Sequence, residues 1–91
     1  MQESACSCQE SCRHLLVIQL RHRSVSAPQA QQILTEHGCE IKVRLGIHEN
    51  DPDHGLIMVL VEGAPTHVQD MIDRLKNLPE TSVTSMEVPR P

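Results

Sequence analysis

Two short runs of nearly continuous aliphatic residues constrain the fold of this chain more than any other feature. They are residues 15–20 (LLVIQL) and residues 56–61 (LIMVLV). Runs of this kind are typical of strands that are covered on both faces. The sequence therefore predicts two covered strands, over residues 14–23 and 56–62, at the centre of the fold.

Two stretches with three- and four-residue apolar spacing predict two helices. The first is predicted over residues 27–37, from the stripe Ala27, Ala30, Ile33, Leu34 and His37. Ser26 and Gln29 have the spacing of a capping box, with Pro28 in the first turn. The second is predicted over residues 65–78, from the stripe Val68, Met71, Ile72, Leu75 and Leu78. On it, Asp70 and Arg74 have the i,i+4 spacing of an ion pair.

Two further strands are more polar and are predicted at the edges of the sheet. Residues 39–48 alternate strictly between polar residues and the apolar set Ile41, Val43, Leu45 and Ile47. Such alternation predicts that one face of the strand lies in the core and that the other contacts water or a partner. The last strand is predicted over residues 81–88, where Thr84, Met86 and Val88 share one face.

The predicted element order, βαββαβ, is that of a split βαβ arrangement. Right-handed crossovers then give the sheet order 4-1-3-2, which places the two most apolar strands in the middle. The sequence therefore predicts an α+β, ferredoxin-like domain with an antiparallel sheet and two helices on one face. Alternate residues of the central strands would leave an apolar patch of roughly several hundred Å² on the other face. We expect copies of the chain to cover it, in a homodimer or a homotetramer.

Composition and charge narrow the classes of function. The chain has 91 residues, enough for one domain, and it contains no Phe, Tyr or Trp, so its core must be aliphatic. A net charge of -4 and the lack of aromatic stacking residues argue against direct nucleic-acid binding. The sequence has neither a membrane-length apolar segment nor a secretory pattern, so we expect a cytoplasmic protein without membrane contact. It shows no nucleophile–base pair, phosphate loop or catalytic carboxylate pair, so we do not expect an enzyme.

The N-terminal residues suggest a first metal site. Residues 1–12 are small and polar, which predicts a flexible, cysteine-containing tail before a domain at residues 13–91. Three thiolates and an imidazole, from Cys6, Cys8, Cys12 and His14, could complete a tetrahedral zinc site or hold an iron–sulfur cluster. The open alternatives are thiols without a metal, and a redox pair of Cys6 with Cys8 or Cys12.

A second group of metal-binding residue types lies in the loop before the third strand. His48 and His54 enclose Glu49, Asp51 and Asp53, a combination that could bind zinc or nickel. The alternative is a solvated turn of ordinary polar residues. Elsewhere, Cys39 is expected to be a small buried apolar residue.

A family pattern extends over three segments, residues 30–49 (AQQILTEHGCEIKVRLGIHE), 54–63 (HGLIMVLVEG) and 68–88 (VQDMIDRLKNLPETSVTSMEV). In it, a helix is followed by a glycine, an R-x-G strand and a glycine before the third strand. The matching residues are Gly38, Arg44, Gly46 and Gly55. These segments resemble the small ACT-like proteins described as regulators of the iron-only hydrogenase system. The resemblance implies the ferredoxin-like fold and a regulatory role, and it brings no catalytic motif.

ACT domains in general bind small ligands, often amino acids, at subunit interfaces near the turn from the first strand to the first helix. The resemblance implies residues 22–29 as the matching positions, although their turn RSVSAPQ lacks the acidic residue and the glycine of the common pattern. Exposed N–H groups at the start of the helix could still receive an anion or a carboxylate, with Ser24, Ser26 and Gln29 as candidate ligand-binding residues. The alternative is that Ser26 and Gln29 satisfy those groups within the chain.

These observations together favour a non-catalytic, oligomeric module that senses a small molecule and passes the change to a partner protein. The resemblance makes it a regulator linked to an iron-only hydrogenase system. The alternative function is metal or cluster binding by the cysteine motif, the loop histidines or both. In that case the cofactor would be a transition metal such as zinc or nickel, or an iron–sulfur cluster.

Overall fold

The chain folds in the order βαββαβ, as the sequence predicts. The structure is a computed structural model that describes residues 12–89. Its elements are β1 (Cys12–Leu20), α1 (Arg23–Glu36), β2 (Ile41–Ile47), β3 (Gly55–Gly63), α2 (Pro65–Lys76) and β4 (Thr81–Glu87). A short 3₁₀ helix, Gly38–Glu40, joins α1 to β2. The predicted elements are therefore confirmed, with shifts of their ends.

The four strands form one antiparallel sheet in the order β2-β3-β1-β4. This is the predicted order 4-1-3-2 read from the other edge. Val17 in β1 lies opposite Met58 of β3 on one side and opposite Thr84 of β4 on the other. The α+β, ferredoxin-like fold is therefore confirmed, and its two most apolar strands occupy the centre.

The core lies between the two helices and one face of the sheet. The central strands contribute six buried aliphatic residues, Leu16, Ile18, Leu20, Ile57, Val59 and Val61. The helices contribute seven, Ala30, Ile33, Leu34, Val68, Met71, Ile72 and Leu75. Burying each large aliphatic side chain contributes about 1.5–3 kcal/mol, so these residues are the main source of stability in a chain without aromatic residues.

Helix α1 begins four residues earlier than predicted, and this overturns the predicted capping box. The backbone oxygen of His22 accepts hydrogen bonds of 2.9 Å from the N–H groups of both Val25 and Ser26. Ser26 is therefore inside the helix, fully buried, and its hydroxyl donates to the backbone oxygen of Pro79 at 2.7 Å. Pro28 also lies within the helix rather than at its start. The spacing of Ser26 and Gln29 in the sequence is the same whether the serine hydroxyl caps its own helix or bonds to a distant segment. The sequence pattern therefore could not distinguish the two roles.

The apolar residues of β2 after Ile41 face away from the core, which corrects a second prediction. Ile41 lies opposite Val61 of the core, but a β-bulge between Ile41 and Val43 shifts the register. Three pairs beyond the bulge lie on the helix-free side of the sheet: Val43 with Leu60, Leu45 with Met58, and Ile47 with Leu56. Because side chains alternate along a strand, one extra residue moves the whole set to the other face.

An ion pair between the two helices replaces the predicted pair within α2. The ion-pair partner of Arg74 is Glu36 on α1. The guanidinium of Arg74 lies 2.6 Å from a carboxylate oxygen of Glu36. The hydrogen bond from Arg74 holds the pKa of Glu36 below its ordinary value of 4.5. Asp70 instead lies 3.3 Å from Nε2 of His37. Both contacts join the helices on the solvent side.

Because of the Glu36–Arg74 pair, we expect the free energy of unfolding to depend slightly on pH. Because the pKa of Glu36 is lower in the folded chain, its contribution is present above pH 4.5 and is lost as the pH falls through the folded value. Urea midpoints of Glu36→Gln should therefore decline less steeply in acid than those of the wild type. Glu87→Gln, an exposed change on β4, is the matched control. Equal slopes for the wild type and Glu36→Gln would contradict the assignment.

Candidate functional site

The face of the sheet that carries no helix is a continuous aliphatic surface. Cross-strand pairing places nine apolar residues on it: Leu15, Val17, Val43, Leu45, Ile47, Leu56, Met58, Leu60 and Met86. We call these nine residues the open face. All four strands contribute to it, so it extends across the full width of the sheet.

The open face is exposed to an unusual degree for residues of this type. The exposed fractions are 46% for Val43, 53% for Leu45 and 57% for Met86. The central members are only half-buried, because their neighbours in the sheet cover them and no helix does. Contiguous exposed apolar surface of this kind marks interaction sites more often than scattered surface residues do.

Most polar residues on this side of the sheet lie at the two ends of the open face, and Thr84 lies at its β4 edge, opposite Val17. Arg13 and Glu62 stand opposite each other on β1 and β3 at one end. Gln19 and Ser82 pair across β1 and β4 at the other end. An apolar centre with a polar rim is the usual anatomy of a protein–protein interface.

A cavity of about 480 Å³ lies at the end of the sheet where the β1–α1, β2–β3 and α2–β4 turns meet. We call it the turn-end cavity. Its walls carry the charged or titratable side chains of Arg21, Glu49, His54 and Glu80. Gln19, Leu56 and Ser82 also line it, so it opens beside the edge of the open face.

Hydrogen bonds hold the three turns together at this end. The N–H of Arg21 donates to the backbone oxygen of Glu80 at 2.9 Å, and their side chains are 3.7 Å apart. The N–H of Arg23 donates to the backbone oxygen of Asp53 at 2.8 Å, and Nδ1 of His22 is 2.9 Å from Oδ2 of Asp53. Glu80 has a φ of 52°, a left-handed conformation that is unfavourable for a residue with a side chain. The turns are therefore fixed relative to one another.

The predicted ligand residues at the start of α1 have different surroundings. Ser24 is exposed in the first turn, whereas Ser26 is buried with its hydroxyl bonded to Pro79. The side-chain amide of Gln29 donates to the backbone oxygen of Val25 at 3.4 Å. The N–H groups of Arg23, Val25 and Ser26 already have backbone acceptors. Ligand binding by Ser24, Ser26 and Gln29 stays a prediction, and only Ser24 offers an exposed hydroxyl there.

Of the four residues in the predicted cysteine site, the structure describes two, Cys12 and His14. Cys6 and Cys8 lie outside the described residues, as does all of the predicted tail except Cys12, the first residue of β1. Cys12 and His14 lie two residues apart on β1 and so share one face of the sheet. Nδ1 of His14 is buried and has no hydrogen-bond partner in the part of the chain that the structure describes.

The predicted loop histidines do not converge on one point. Nε2 of His54 lies 3.6 Å from Oδ2 of Asp51, and His54 lines the turn-end cavity. His48 is exposed at the end of β2 and does not line that cavity. Within residues 12–89, no group of three His, Cys, Asp or Glu residues has an arrangement that could hold a metal ion. Metal binding by His48 and His54 therefore stays a prediction without a described third ligand.

Sequence reasoning missed a buried carboxylate and misjudged a cysteine. Cys39, expected to be buried, is exposed. Its neighbour Glu40 is only 3% exposed and has Nδ1 of His67 3.8 Å from its carboxylate. Glu40 is buried because its side chain lies against Gly63, where no Cβ stands in the way. The glycine ending β3 was the one signal in the sequence for this packing.

Gly63→Ala should lower the free energy of unfolding by about 1–3 kcal/mol, because the new Cβ would overlap Cγ of Glu40 and lie 3.3 Å from its Cβ. Gly38→Ala is the matched control, since a Cβ there meets nothing within 4 Å. In urea unfolding, Glu40→Ala combined with Gly63→Ala should cost less than the sum of the two single changes. If the losses in the free energy of unfolding caused by the two single changes add up to that of the double change, the two residues do not compete for this space.

Neither α1 nor α2 is long and apolar enough to cross a membrane, and residues 12–89 contain no other helix of that kind.

The described chain is a ferredoxin-like domain with one helix-covered face, one open aliphatic face and a cavity at its turn end. No family model and no curated protein matches the chain.

Solved structures share its fold. The uncharacterized protein TM1266 from Thermotoga maritima aligns with a TM-score of 0.82 at 15% identity, over 88% of this chain and 100% of that one. The C-terminal domain of the MgtC protein from Mycobacterium tuberculosis aligns with a TM-score of 0.60 at 9% identity, over 90% and 93%. An acylphosphatase from Bacillus subtilis aligns with a TM-score of 0.51 at 17% identity, over 82% and 84%.

These comparisons establish the fold alone. The identities are low, and the same fold occurs in an enzyme, the acylphosphatase, and in a protein of uncharacterized role. A fold of this type hosts many unrelated activities, so function has to be argued from the surfaces of this chain.

Proposed function

We propose that this chain is a non-catalytic regulatory module that assembles through its open face and responds to a small ligand. The single observation that carries the proposal is the open face itself, which is apolar, continuous and uncovered by either helix. A second copy is the occupant that matches it, because two such faces are complementary to each other by composition. A homodimer needs one such contact, and a homotetramer needs one further interface.

The dimensions of the open face support a specific interface. Strands of seven residues at about 3.3 Å per residue and four strands at about 4.8 Å spacing give a face of roughly 23 by 19 Å. Its accessible area exceeds this projection, because the side chains protrude. Interfaces of standard size bury about 800 Å² per partner, and weaker ones bury less. Stacking two open faces therefore gives an interface at or below the standard size, which is the scale of a concentration-dependent association.

In this proposal, a ligand in the turn-end cavity regulates the interface between the two open faces. The cavity borders the open face through Gln19, Leu56 and Ser82, so a ligand in it would lie beside a neighbouring copy. Binding there could favour one arrangement of the two copies, and coupling of this kind is typically worth about 1–3 kcal/mol. A partner protein would then bind one arrangement of the assembly in preference to the other. The resemblance to the hydrogenase regulators suggests that this partner belongs to an iron-only hydrogenase system in the cytoplasm.

Sedimentation equilibrium of the full chain tests the assembly that the proposal requires. Across low to high micromolar concentrations, the mean mass should rise to that of a dimer or a tetramer. A mass that stays monomeric over this range would contradict the proposal. For the hydrogenase link, inactivating the gene in a host that makes an iron-only hydrogenase should change the activity of that enzyme, and unchanged activity would reject the link.

The alternative function, metal or cluster binding, has one observation in its favour. Cys12 and His14 share a face of β1, and Nδ1 of His14 is buried without a hydrogen-bond partner among the described residues. Such a nitrogen could serve as a ligand. Under this alternative, protein purified without added metal would carry near-stoichiometric metal, which serine replacements of Cys6, Cys8 and Cys12 would abolish. Metal retained by that variant would implicate His48 and His54, and metal-free wild-type protein would reject the alternative.

A further inference from the structure

Strand β2 forms one edge of the sheet, and its outer side pairs with no other described strand. It pairs with β3 alone and stands first in the strand order β2-β3-β1-β4. Every residue from Lys42 to Ile47 is exposed, so neither helix covers the strand. We call the outer side of Ile41–Ile47 the β2 edge. Unpaired N–H and C=O groups along such an edge are a template for a further strand.

The β2 edge is positively charged, although the chain has a net charge of -4. Lys42 and Arg44 are the only charged residues of this strand. Neither of them takes part in any ion pair within residues 12–89. Arg44 lies opposite Val59 of the core, so its side chain is on the helix side of the sheet. The other edge strand, β4, has Glu87 as its only charged residue, so the two edges differ in sign.

Gly46 leaves an open space beside Arg44 on the helix side of the β2 edge. It lies opposite Ile57 of the core, and a Cβ added to it would meet nothing within 4 Å. The space belongs to a cavity of about 320 Å³ whose lining includes Ala27 and Ile57. An aromatic side chain on the neighbouring strand is a known cover for a glycine at a sheet edge. This chain has no Phe, Tyr or Trp, so such a side chain would have to come from another protein.

A second copy of the chain does not match the β2 edge. Antiparallel pairing of two β2 strands about their central residue would set Arg44 opposite itself, and like charges in that position are destabilising. Positive charge on an edge strand discourages pairing between copies for this reason. Pairing of β2 with β4 of another copy is heterologous, so it builds a ring or an open filament rather than a dimer. An acidic strand from a different protein meets neither obstacle.

We infer that the β2 edge binds an extended acidic segment of a partner protein, which adds to the sheet as a fifth strand. On the helix side, this segment would carry an acidic residue opposite Arg44 and, two positions away, an aromatic residue opposite Gly46. Its alternate residues would be aliphatic and lie opposite Val43, Leu45 and Ile47, so they would extend the open face. The inference deepens the proposed function by naming the class of partner, and it rests on that function only for the regulatory meaning of the binding.

Titration of the ¹⁵N-labelled full chain with the acetylated peptide amide TVFVEVET, followed by NMR, tests the inference. In an antiparallel pairing, its phenylalanine lies opposite Gly46 and its first glutamate opposite Arg44. Saturable shifts are expected at the backbone amides of residues 43–47 and not at those of residues 82–86 in β4. The charge-reversed peptide TVFVKVKT should bind about tenfold more weakly. Equal affinities of the two peptides, or no saturable shift with the acidic one, would overturn the inference.

Methylation of the peptide backbone shows whether the peptide binds as a strand. Successive N–H groups of an extended peptide point alternately toward the neighbouring strand and away from it. Two versions of TVFVEVET are therefore compared, N-methylated at alternate residues in one and at the intervening residues in the other. One version should lose binding, because its methyl groups replace the bonded N–H groups, and the other should keep it. Similar affinities of the two versions would overturn strand addition.

Two variants make the test specific to the β2 edge. Arg44→Glu should weaken binding of TVFVEVET about tenfold and strengthen that of TVFVKVKT. Lys76→Glu, an exposed change of equal charge on α2, is the matched control and should bind as the wild type does. Gly46→Val fills the space that the aromatic ring would occupy, so it should also lower the affinity for TVFVEVET. Wild-type affinity in both Arg44→Glu and Gly46→Val would overturn the inference.

Sedimentation of the same samples separates this inference from the proposed function. Peptide binding by a protein that stays monomeric would support the β2 edge and reject the assembly. Assembly without peptide binding would reject the inference and leave the assembly intact. Hydrogen exchange of the peptide-free protein tests the competing occupant. If the β2 amides become as protected at high protein concentration as they are with the peptide, a second copy pairs with this edge, which would overturn the inference.

Discussion

Leu45→Glu should raise the dissociation constant of the assembled chain by a factor of about 100 or more. In the single chain Leu45 is 53% exposed, so the carboxylate can remain in water and the fold should tolerate it. Between two stacked open faces the same carboxylate would lose its water without gaining a partner, which costs several kcal/mol. The effect is therefore expected on association and not on folding.

Sedimentation velocity checks this expectation, with Val25→Glu as the matched control. Val25 is 56% exposed, close to the value for Leu45, but it lies on α1 and not on the open face. Val25→Glu should assemble like the wild type, and Leu45→Glu should sediment as a monomer with an unchanged circular-dichroism spectrum. Equal effects of the two variants would show that association does not depend on the open face.

Leu16→Ala should lower the free energy of unfolding by about 2–5 kcal/mol, the cost of emptying a closely packed site. Leu16 is fully buried at the centre of β1, under both helices. Small domains have only about 5–15 kcal/mol of stability, so this single change should remove a large part of it. Urea unfolding at two protein concentrations is the appropriate measurement.

Val17→Ala is the natural comparison, because Val17 is the next residue and points to the open face. The loss caused by Leu16→Ala should be the same at both protein concentrations, because its contacts lie within one chain. The loss caused by Val17→Ala should be small in dilute protein and larger where the wild type assembles. A concentration-independent loss for Val17→Ala would contradict the assignment of Val17 to an interface.

The central part of the fold could be predicted from the sequence because its signals are local and agree with one another. The aliphatic runs of β1 and β3 indicate the two central strands, and the βαββαβ connections place them there. Only one face of these strands is covered by helices within the chain. The open face was predicted as a consequence of the same argument. Its residues in β1 and β3 simply alternate with those of the core.

The parts that could not be predicted depend on contacts between distant segments. The bulge at Ile41 moved the apolar set of β2 to the open face, and nothing in the alternation of residues 41–47 reveals it. Ser26 has the spacing of a helix cap, but the backbone of Pro79 decides its role. The turn-end cavity likewise forms where three separate turns meet, and no local pattern in the sequence indicates it.

Isotope-filtered NMR of a mixed sample tests the central claim, that open faces of two copies contact each other. In a mixture of chains with ¹³C-labelled methyl groups and unlabelled chains, the filtered experiment detects only NOEs between different chains. We expect such NOEs from the methyl groups of Leu15, Val43, Leu45 and Met58, and none from Val25. Intermolecular NOEs confined to the helix side, or their complete absence at high protein concentration, would contradict the account.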